Sequence, residues 1–273
     1  MSSAGREPIR LVVSDLDGTL VDKHKQLTPA VIEAVARLRG AEVGFTIISA
    51  RPRSGMMPIA DALEIDDPMG AFNGGTVFRR DGTILCQHRI DPDVVRTIFD
   101  LVGDAAVDRW VFADDVWYAS TDQGAHVASE RIASNQAPVI TSDFSALYDR
   151  ADKLTFVSDD PVLLAGLRDR AAGLAGRATI VQSQTYYLDV TALAANKGDG
   201  IALLAGAMNT PLAAVAAIGD QANDVPMFER AGLSIAMGQG PAEVRAKADL
   251  VTSGNDADGV ARAIREMILG VAV

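Results

Sequence analysis

The sequence predicts an α/β protein: a parallel β-sheet with helices on both faces, interrupted by an inserted α+β segment. Two observations carry this expectation. Continuous apolar runs at 11–13, 43–48 and 213–218 alternate with amphipathic stretches at both ends of the chain, as the buried strands and covering helices of a parallel sheet do. Between about 90 and 190 the alternation gives way to mixed helical and strand patterns, and this stretch holds both tryptophans and all four tyrosines.

The run at 11–13 is followed by the amphipathic Pro29-Ala30-Val31-Ile32-Glu33-Ala34-Val35-Ala36-Arg37-Leu38, with Thr28 as its N-cap and Gly40 just beyond its end. The strand at 43–48 leads into a helix at about 54–63. Asn73-Gly74-Gly75 and Asp81-Gly82 flank Thr76-Val77-Phe78 as hairpin turns and predict a small antiparallel flap. Within the insertion, helices are expected at 93–102 and 161–174, and strands at 110–112, 116–118, 154–157 and 186–190. The alternating pattern then resumes with a helix at about 198–207, the strand at 213–218 and a helix at 225–230. Short strands at 233–236 and 250–251 and a closing helix at about 257–269 complete it. The expected domains are a discontinuous core, 1–88 and 190–273, and an inserted domain, 89–189.

A chain of 273 residues accommodates one large domain or two unequal ones, and 48% hydrophobic with 22% charged residues is an ordinary globular balance. The net charge of −11 disfavours nucleic acid and anionic membrane as partners, while a local basic pocket still suits an anionic substrate. A single cysteine, Cys86, excludes an intramolecular disulfide and a Cys-rich zinc site and suits a reducing cytosol. Met1-Ser2-Ser3-Ala4-Gly5-Arg6-Glu7-Pro8 lacks the apolar core of a signal peptide, and no run has the length of a bilayer span, so a cytoplasmic protein is expected.

The chemistry gathers where the apolar runs end. Asp15-Leu16-Asp17-Gly18-Thr19-Leu20 sets two carboxylates two residues apart beyond the first strand, where open α/β sheets bind their ligands. Such a pair can hold a divalent metal and attack a phosphoryl group; a strand running into an Asx turn accounts for the same residues. Gly18 permits a sharp turn, to which Thr19 can bond back. Ser49-Ala50-Arg51 ends the second run, where a hydroxyl and neighbouring backbone N–H groups can cradle an anion, or Ser49 can simply cap a helix. Asn196-Lys197-Gly198 precedes a helix; an ammonium there is unfavourable for the helix and useful to a phosphate, against the alternative of a solvated surface lysine. Gly219-Asp220-Gln221-Ala222-Asn223-Asp224 follows the third run, and its carboxylates four apart supply the oxygen donors Mg²⁺ prefers. A loop that merely caps the next helix competes with this, less strongly once Asp15 and Asp17 lie at the same sheet edge.

With these motifs in this order the chain resembles the haloacid dehalogenase superfamily of phosphatases, in its Cof-type branch with a large α+β cap (type IIB). The matching positions are Asp15 and Asp17 in DLDGT, Ser49 in ISAR, Lys197 in ANKG, and Asp220, Asn223 and Asp224 in GDQANDVPMF. The Asn73-Gly74-Gly75 turn and the place of the insertion agree. Ala50 departs from the pattern, since relatives usually carry glycine there; its methyl group narrows the phosphate cradle.

The resemblance implies a Rossmann-like core and a role for each matching residue. Asp15 attacks phosphorus to form an aspartyl-phosphate. Asp17 protonates the leaving oxygen and then deprotonates water, while its backbone carbonyl binds metal. Asp15 and Asp220, with Asp224 nearby, hold Mg²⁺. Ser49, Lys197 and Asn223 hold the transferring phosphoryl oxygens, with Ala50 in the same cradle. The implied activity is Mg²⁺-dependent hydrolysis of a small phosphorylated metabolite, such as a sugar phosphate. A phosphomutase of the same superfamily stays open, as does a phospho-accepting regulatory module without turnover, although such a module has no need of Asp17. The motifs recognise only phosphate and metal, so the cap is expected to select the substrate, with Trp117, Tyr118, Tyr186 and Tyr187 as candidates. Aromatic residues at strand spacing are more often core. His126 could reach a substrate, although a place on the cap surface is expected, and hinges are expected at the two crossings, 87–91 and 191–196.

Overall fold

The computed structural model describes residues 7–271. The first elements are β1 (Leu11–Ser14), α1 (Pro29–Gly40), β2 (Gly44–Ile47), α2 (Arg53–Ala62), β3 (Met69–Ala71), β4 (Thr76–Phe78) and β5 (Ile84–Gln87). Then come α3 (Pro92–Val102), β6 (Asp108–Ala113), β7 (Val116–Ala119), α4 (Val127–Ser134), β8 (Val139–Ile140), β9 (Ala151–Val157), α5 (Pro161–Arg170), β10 (Ala178–Gln184) and β11 (Tyr187–Ala192). The chain closes with α6 (Lys197–Ala207), β12 (Val215–Gly219), α7 (Val225–Phe228), β13 (Leu233–Ala236), α8 (Ala242–Arg245), β14 (Leu250–Val251) and α9 (Gly259–Arg262). Two compact units form. One takes the residues up to Ala50, Met57–Leu85 and those from Asn196 on; the other takes Arg51–Met56 and Cys86–Ala195. Among the described residues no helix is long and apolar enough to cross a membrane.

The first unit is built on a sheet of order β14-β13-β12-β1-β2 in which every pairing is parallel, the α/β class expected. All four residues of β1 and all five of β12 are buried, so both faces of these strands are covered, which is why their sequence is continuously apolar rather than alternating. Register does the rest. Ser14 lies opposite Ile218 on one side and Ile47 on the other, so β1 and β2 end level and β12 runs one residue further, to Gly219. The Asp15 N–H donates to the Ile218 carbonyl (2.9 Å) and the Ile48 N–H to the Ser14 carbonyl (3.0 Å), carrying the ladder to the point where the chains leave the sheet.

The helix α1 shows how local sequence sets such an element. The Thr28 side chain accepts the Val31 N–H (3.3 Å), a cap contributing about 1 kcal/mol. Pro29 fits the first helical position, where no N–H is needed. Val31, Ala34, Val35 and Leu38 recur at helical spacing and form the buried stripe, each larger side chain adding roughly 1.5–3 kcal/mol. Gly40, expected beyond the helix, is its last residue.

The antiparallel flap expected around 76–78 forms as the three-stranded sheet β3-β4-β5, and in the connection between the antiparallel β3 and β4 the residues Phe72, Asn73 and Gly74 make a left-handed run with φ of 50°, 59° and 90°. Two sequence expectations need correction. The strand expected from 213 starts at Val215, because Leu212–Ala214 winds as a 3₁₀ turn after Pro211. The closing helix is broken at Asp258, whose φ of 54° separates a 3₁₀ turn (Asn255–Ala257) from α9 and the wider π-type turns of Ala263–Ile268.

The second unit is a six-stranded sheet of order β10-β11-β9-β6-β7-β8, antiparallel except for the β7–β8 pair. Val94 and Ile98 of α3 and Leu164 and Leu167 of α5 share a hydrophobic core with Val111, Leu154, Phe156, Leu188 and Val190 of the sheet. Helix α4 and strands β8 and β10 escape the sequence reading. The first buries only Val127 and Ser134, the second is two exposed residues, and the third, ATIVQSQ, is polar toward its end with only Ala178 fully buried.

One buried acid in this unit has a measurable consequence. The Asp152 carboxylate of β9 accepts the Gln87 side-chain amide (2.8 Å) and lies 3.8 Å from the Arg89 guanidinium, yet burial outweighs both and pushes its carboxyl up to about 6. A carboxyl that binds its proton more tightly folded than unfolded favours folding most below about pH 3.8 and progressively less as pH rises through 6. Asp152→Asn should therefore gain on the wild type by about 1 kcal/mol between pH 5 and pH 7.5. Urea denaturation of both proteins at the two pH values measures this, and a difference independent of pH contradicts it.

Candidate active site

Asp15, Asp17, Ser49, Ala50, Lys197, Asp220, Asn223 and Asp224 belong to the first unit. Gly18, at φ +84°, lets the loop after β1 pass the Asp220 carboxylate so closely that a Cβ there would lie 2.5 Å from its Oδ2. The N–H groups of Thr19, Leu20 and Val21 all close onto the Leu16 carbonyl. The Thr19 hydroxyl does not bond back to its own turn, as the sequence suggested, but donates to Asp220 Oδ1 (2.9 Å), tying the first and last motifs together.

Lys197, the first residue of α6, is 1% exposed, which excludes the solvated-lysine reading. Its Nζ donates to Asp15 Oδ1 and to Asp224 Oδ1, each at 2.5 Å. Asp224 is fully buried, and its Oδ2 accepts the N–H groups of Asp220 (2.7 Å) and Gln221 (2.8 Å), so it organises its own loop as well as bracing the ammonium. Oxygens of Asp15, Asp220 and Asp224 all lie within 4.8 Å of one another. The Asp17 carboxylate is outside that group; it accepts the Lys25 ammonium at 2.5 Å in a half-exposed pair.

Three carboxylates thus face one ammonium in a buried setting. Burial pushes the Asp15 carboxyl up to about 7; Lys197 opposes this, while the charges of Asp224 and Asp220 add to it. Burial likewise raises Asp220. For Lys197, burial disfavours the charge, but Asp15 and Asp224 together outweigh it and hold the ammonium protonated. The cluster is short of positive charge and offers only hard oxygen donors close enough to share one ion, a set that fits a hard divalent cation.

Ser49 is buried beyond β2. Its N–H is taken by the Gly70 carbonyl (2.9 Å) and its own carbonyl accepts the Asn73 N–H (2.7 Å). Because α2 starts only at Arg53, Ser49 is not its N-cap. Ala50 is exposed beside it, and the exposed Asn223 donates from Nδ2 to Asn73 Oδ1 (3.2 Å). Sequence reasoning passed over Asn73 as a turn residue and missed Lys25 altogether. The Asn-Gly pair held a signal for the first; nothing in the sequence pairs Lys25 with Asp17.

The four aromatic candidates lie in the second unit. Trp117 is fully buried, edge-on to Trp110 (5.0 Å between centroids) and stacked on Phe112 (6.2 Å). Tyr118 packs against the hydrophobic core of that unit. Tyr187 meets Trp110 edge-on (5.3 Å) and Tyr186 stacks on His126 (3.9 Å). His126 is only 20% exposed and sits 2.7 Å from Asp159 Oδ1, part of this cluster rather than a free surface residue.

Known proteins share both sequence and fold. The family described as haloacid dehalogenase-like hydrolase matches residues 12–264. A Streptococcus pyogenes (serotype M6) protein named as a candidate phosphatase is 25% identical over 266 residues, covering 96% of this chain and 99% of its own length. The crystal structure of a haloacid dehalogenase-like hydrolase from Bacteroides thetaiotaomicron superposes with a TM-score of 0.86 at 25% identity, over 95% of this chain and 99% of that one. The sugar phosphatase BT4131, of HAD subclass IIB, shares the fold at a TM-score of 0.82 and 20% identity, over 94% and 98% of the two chains.

Proposed function

The chain belongs to the haloacid dehalogenase-like hydrolases, and from that premise we propose that it is a Mg²⁺-dependent phosphatase hydrolysing a small phosphorylated metabolite through an aspartyl-phosphate. The observation that carries this reading is the setting of Asp15: a buried carboxylate at the end of a central strand, bonded through one oxygen to a buried ammonium and grouped with two further acids. Lys197 fixes the orientation of that carboxylate and offers its remaining charge to the phosphoryl oxygens. The Asp15 oxygen forms a bond to phosphorus as the ester P–O bond breaks, and the departing alkoxide takes a proton from Asp17, which must first release Lys25 and take up that proton from solvent. Asp17, now a base, accepts a proton from the water that attacks phosphorus, which frees inorganic phosphate and regenerates Asp15. Ser49 and Asn223 donate to the transferring oxygens. Asp15 and Asp220, with Asp224 beside them, would hold Mg²⁺, which when bound would neutralise charge so that an anionic nucleophile can approach a phosphate dianion.

The test is a phosphate-release screen across phosphorylated sugars, polyols, nucleotides and cofactors. Release should disappear after dialysis against chelator, return with Mg²⁺, and return poorly with Ca²⁺, whose longer and looser coordination misplaces Asp15. Full activity in excess chelator overturns the metal dependence. Phosphoryl transfer between sugar positions without release of phosphate identifies a mutase instead.

A further inference from the structure

We propose that Asn73 is a positioning residue of the phosphate site: it orients the Asn223 amide with its side chain and ties down the Ser49 segment with its backbone. This rests on the reading of Ser49 and Asn223 as phosphate-binding groups.

The backbone of the turn is the first observation. Phe72, Asn73 and Gly74 stand consecutively in the left-handed region, at φ of 50°, 59° and 90°. Each non-glycine residue held there costs on the order of 1 kcal/mol, more for a bulky side chain such as that of Phe72 than for asparagine. Such a run persists only where its surroundings over-determine it, and strained backbone of this kind gathers at functional sites.

Its surroundings are the phosphate-site motifs. On one side, the Asn73 N–H donates to the Ser49 carbonyl (2.7 Å) and the Ser49 N–H to the Gly70 carbonyl (2.9 Å), so the turn and the end of the second strand form one hydrogen-bonded piece. On another, Gly74 lies against α6, the helix that Lys197 begins: a Cβ on Gly74 would come within 2.5 Å of the Gly200 Cα. From the third, the Asn223 Nδ2 donates to Asn73 Oδ1 (3.2 Å).

The last contact has the sharper consequence. A carboxamide carries two N–H donors and one acceptor oxygen in a plane. With one N–H of Asn223 engaged by Asn73, the amide cannot flip without losing that bond, and its second N–H keeps a single direction. Asn223 is exposed on a short turn, where an unanchored side chain would sample several rotamers. Asn73 thereby pre-orders a donor that phosphate would otherwise have to order on binding.

A double-mutant cycle read by calorimetric titration of inorganic phosphate, with Mg²⁺ present, tests this without requiring turnover. Asn73→Gly removes the side chain yet keeps access to the left-handed region; Asn223→Ala removes the donor. Each single change should weaken phosphate binding, Asn73→Gly by roughly fivefold, the worth of one hydrogen bond. The double variant should bind no more weakly than Asn223→Ala alone, because both changes remove the same contact. Asn73→Ala should in addition lower the melting temperature relative to Asn73→Gly, since alanine resists the left-handed backbone. Multiplicative losses in the double variant, or wild-type phosphate affinity in Asn73→Gly while Asn223→Ala is weakened, overturn the role of Asn73 alone. Unchanged affinity in Asn223→Ala overturns the phosphate-site reading and this inference with it.

Discussion

Asp15→Asn is expected to abolish phosphate release while leaving the fold intact. The amide matches the carboxylate in shape but is a poor nucleophile, so the step that forms the aspartyl-phosphate is lost rather than slowed. Its effect on stability runs the other way. Burial and the charges of Asp220 and Asp224 disfavour ionised Asp15, the reason its carboxyl is pushed up to about 7, and a neutral side chain escapes that opposition. Lys197 keeps Asp224 as its partner, so its ammonium is not stranded. In metal-free buffer the variant should melt at the same temperature as the wild type or above it, the trade of stability for function expected at a catalytic site. Phosphate release and thermal melting measure the two halves. Retention of turnover within about tenfold, only roughly 1.4 kcal/mol in the barrier, removes Asp15 from the role of nucleophile.

Lys197→Met should produce the largest change in stability. Methionine fills much the same volume, so the packing of α6 is spared and the loss is one of charge. The ammonium is 1% exposed and bonds Asp15 and Asp224 at once. Taking it away leaves three buried carboxylates together, and breaking a buried ion pair from one side costs about 3–5 kcal/mol. In metal-free buffer this should appear as a marked fall in the urea midpoint. Added Mg²⁺ should recover part of the loss, because a cation bound among Asp15, Asp220 and Asp224 replaces some of the missing positive charge and binds only the folded state. Turnover should stay low even when stability is restored, since the orienting contact on Asp15 is gone. A variant as stable as the wild type without metal would show that the acids do not depend on Lys197, and full turnover would remove it from the phosphate site.

The class of the first unit was legible in local sequence, and so were the motif residues that gather at its strand ends. Strands buried on both faces are mostly apolar, so β1, β2 and β12 announce themselves, and the acids, hydroxyl and lysine that follow those runs stand out against them. The N-cap at Thr28 and the buried stripe of α1 are legible for the same reason: they are properties of a few neighbouring residues. What the tertiary structure alone decided is partnership. That Asp15 faces Asp220 follows from β1 lying beside β12 with Ser14 level with Ile218, a register no local pattern encodes. That Lys197 bridges Asp15 and Asp224, that the Thr19 hydroxyl reaches Asp220 rather than its own turn, and that Asn73 stands in a left-handed run against Ser49 and Asn223 each depend on segments remote in the chain. The physical reason is that burial and capping are paid for locally, whereas the pairing of buried charges and the upholding of strained backbone draw on contacts that exist only once the sheet has brought its strand ends together.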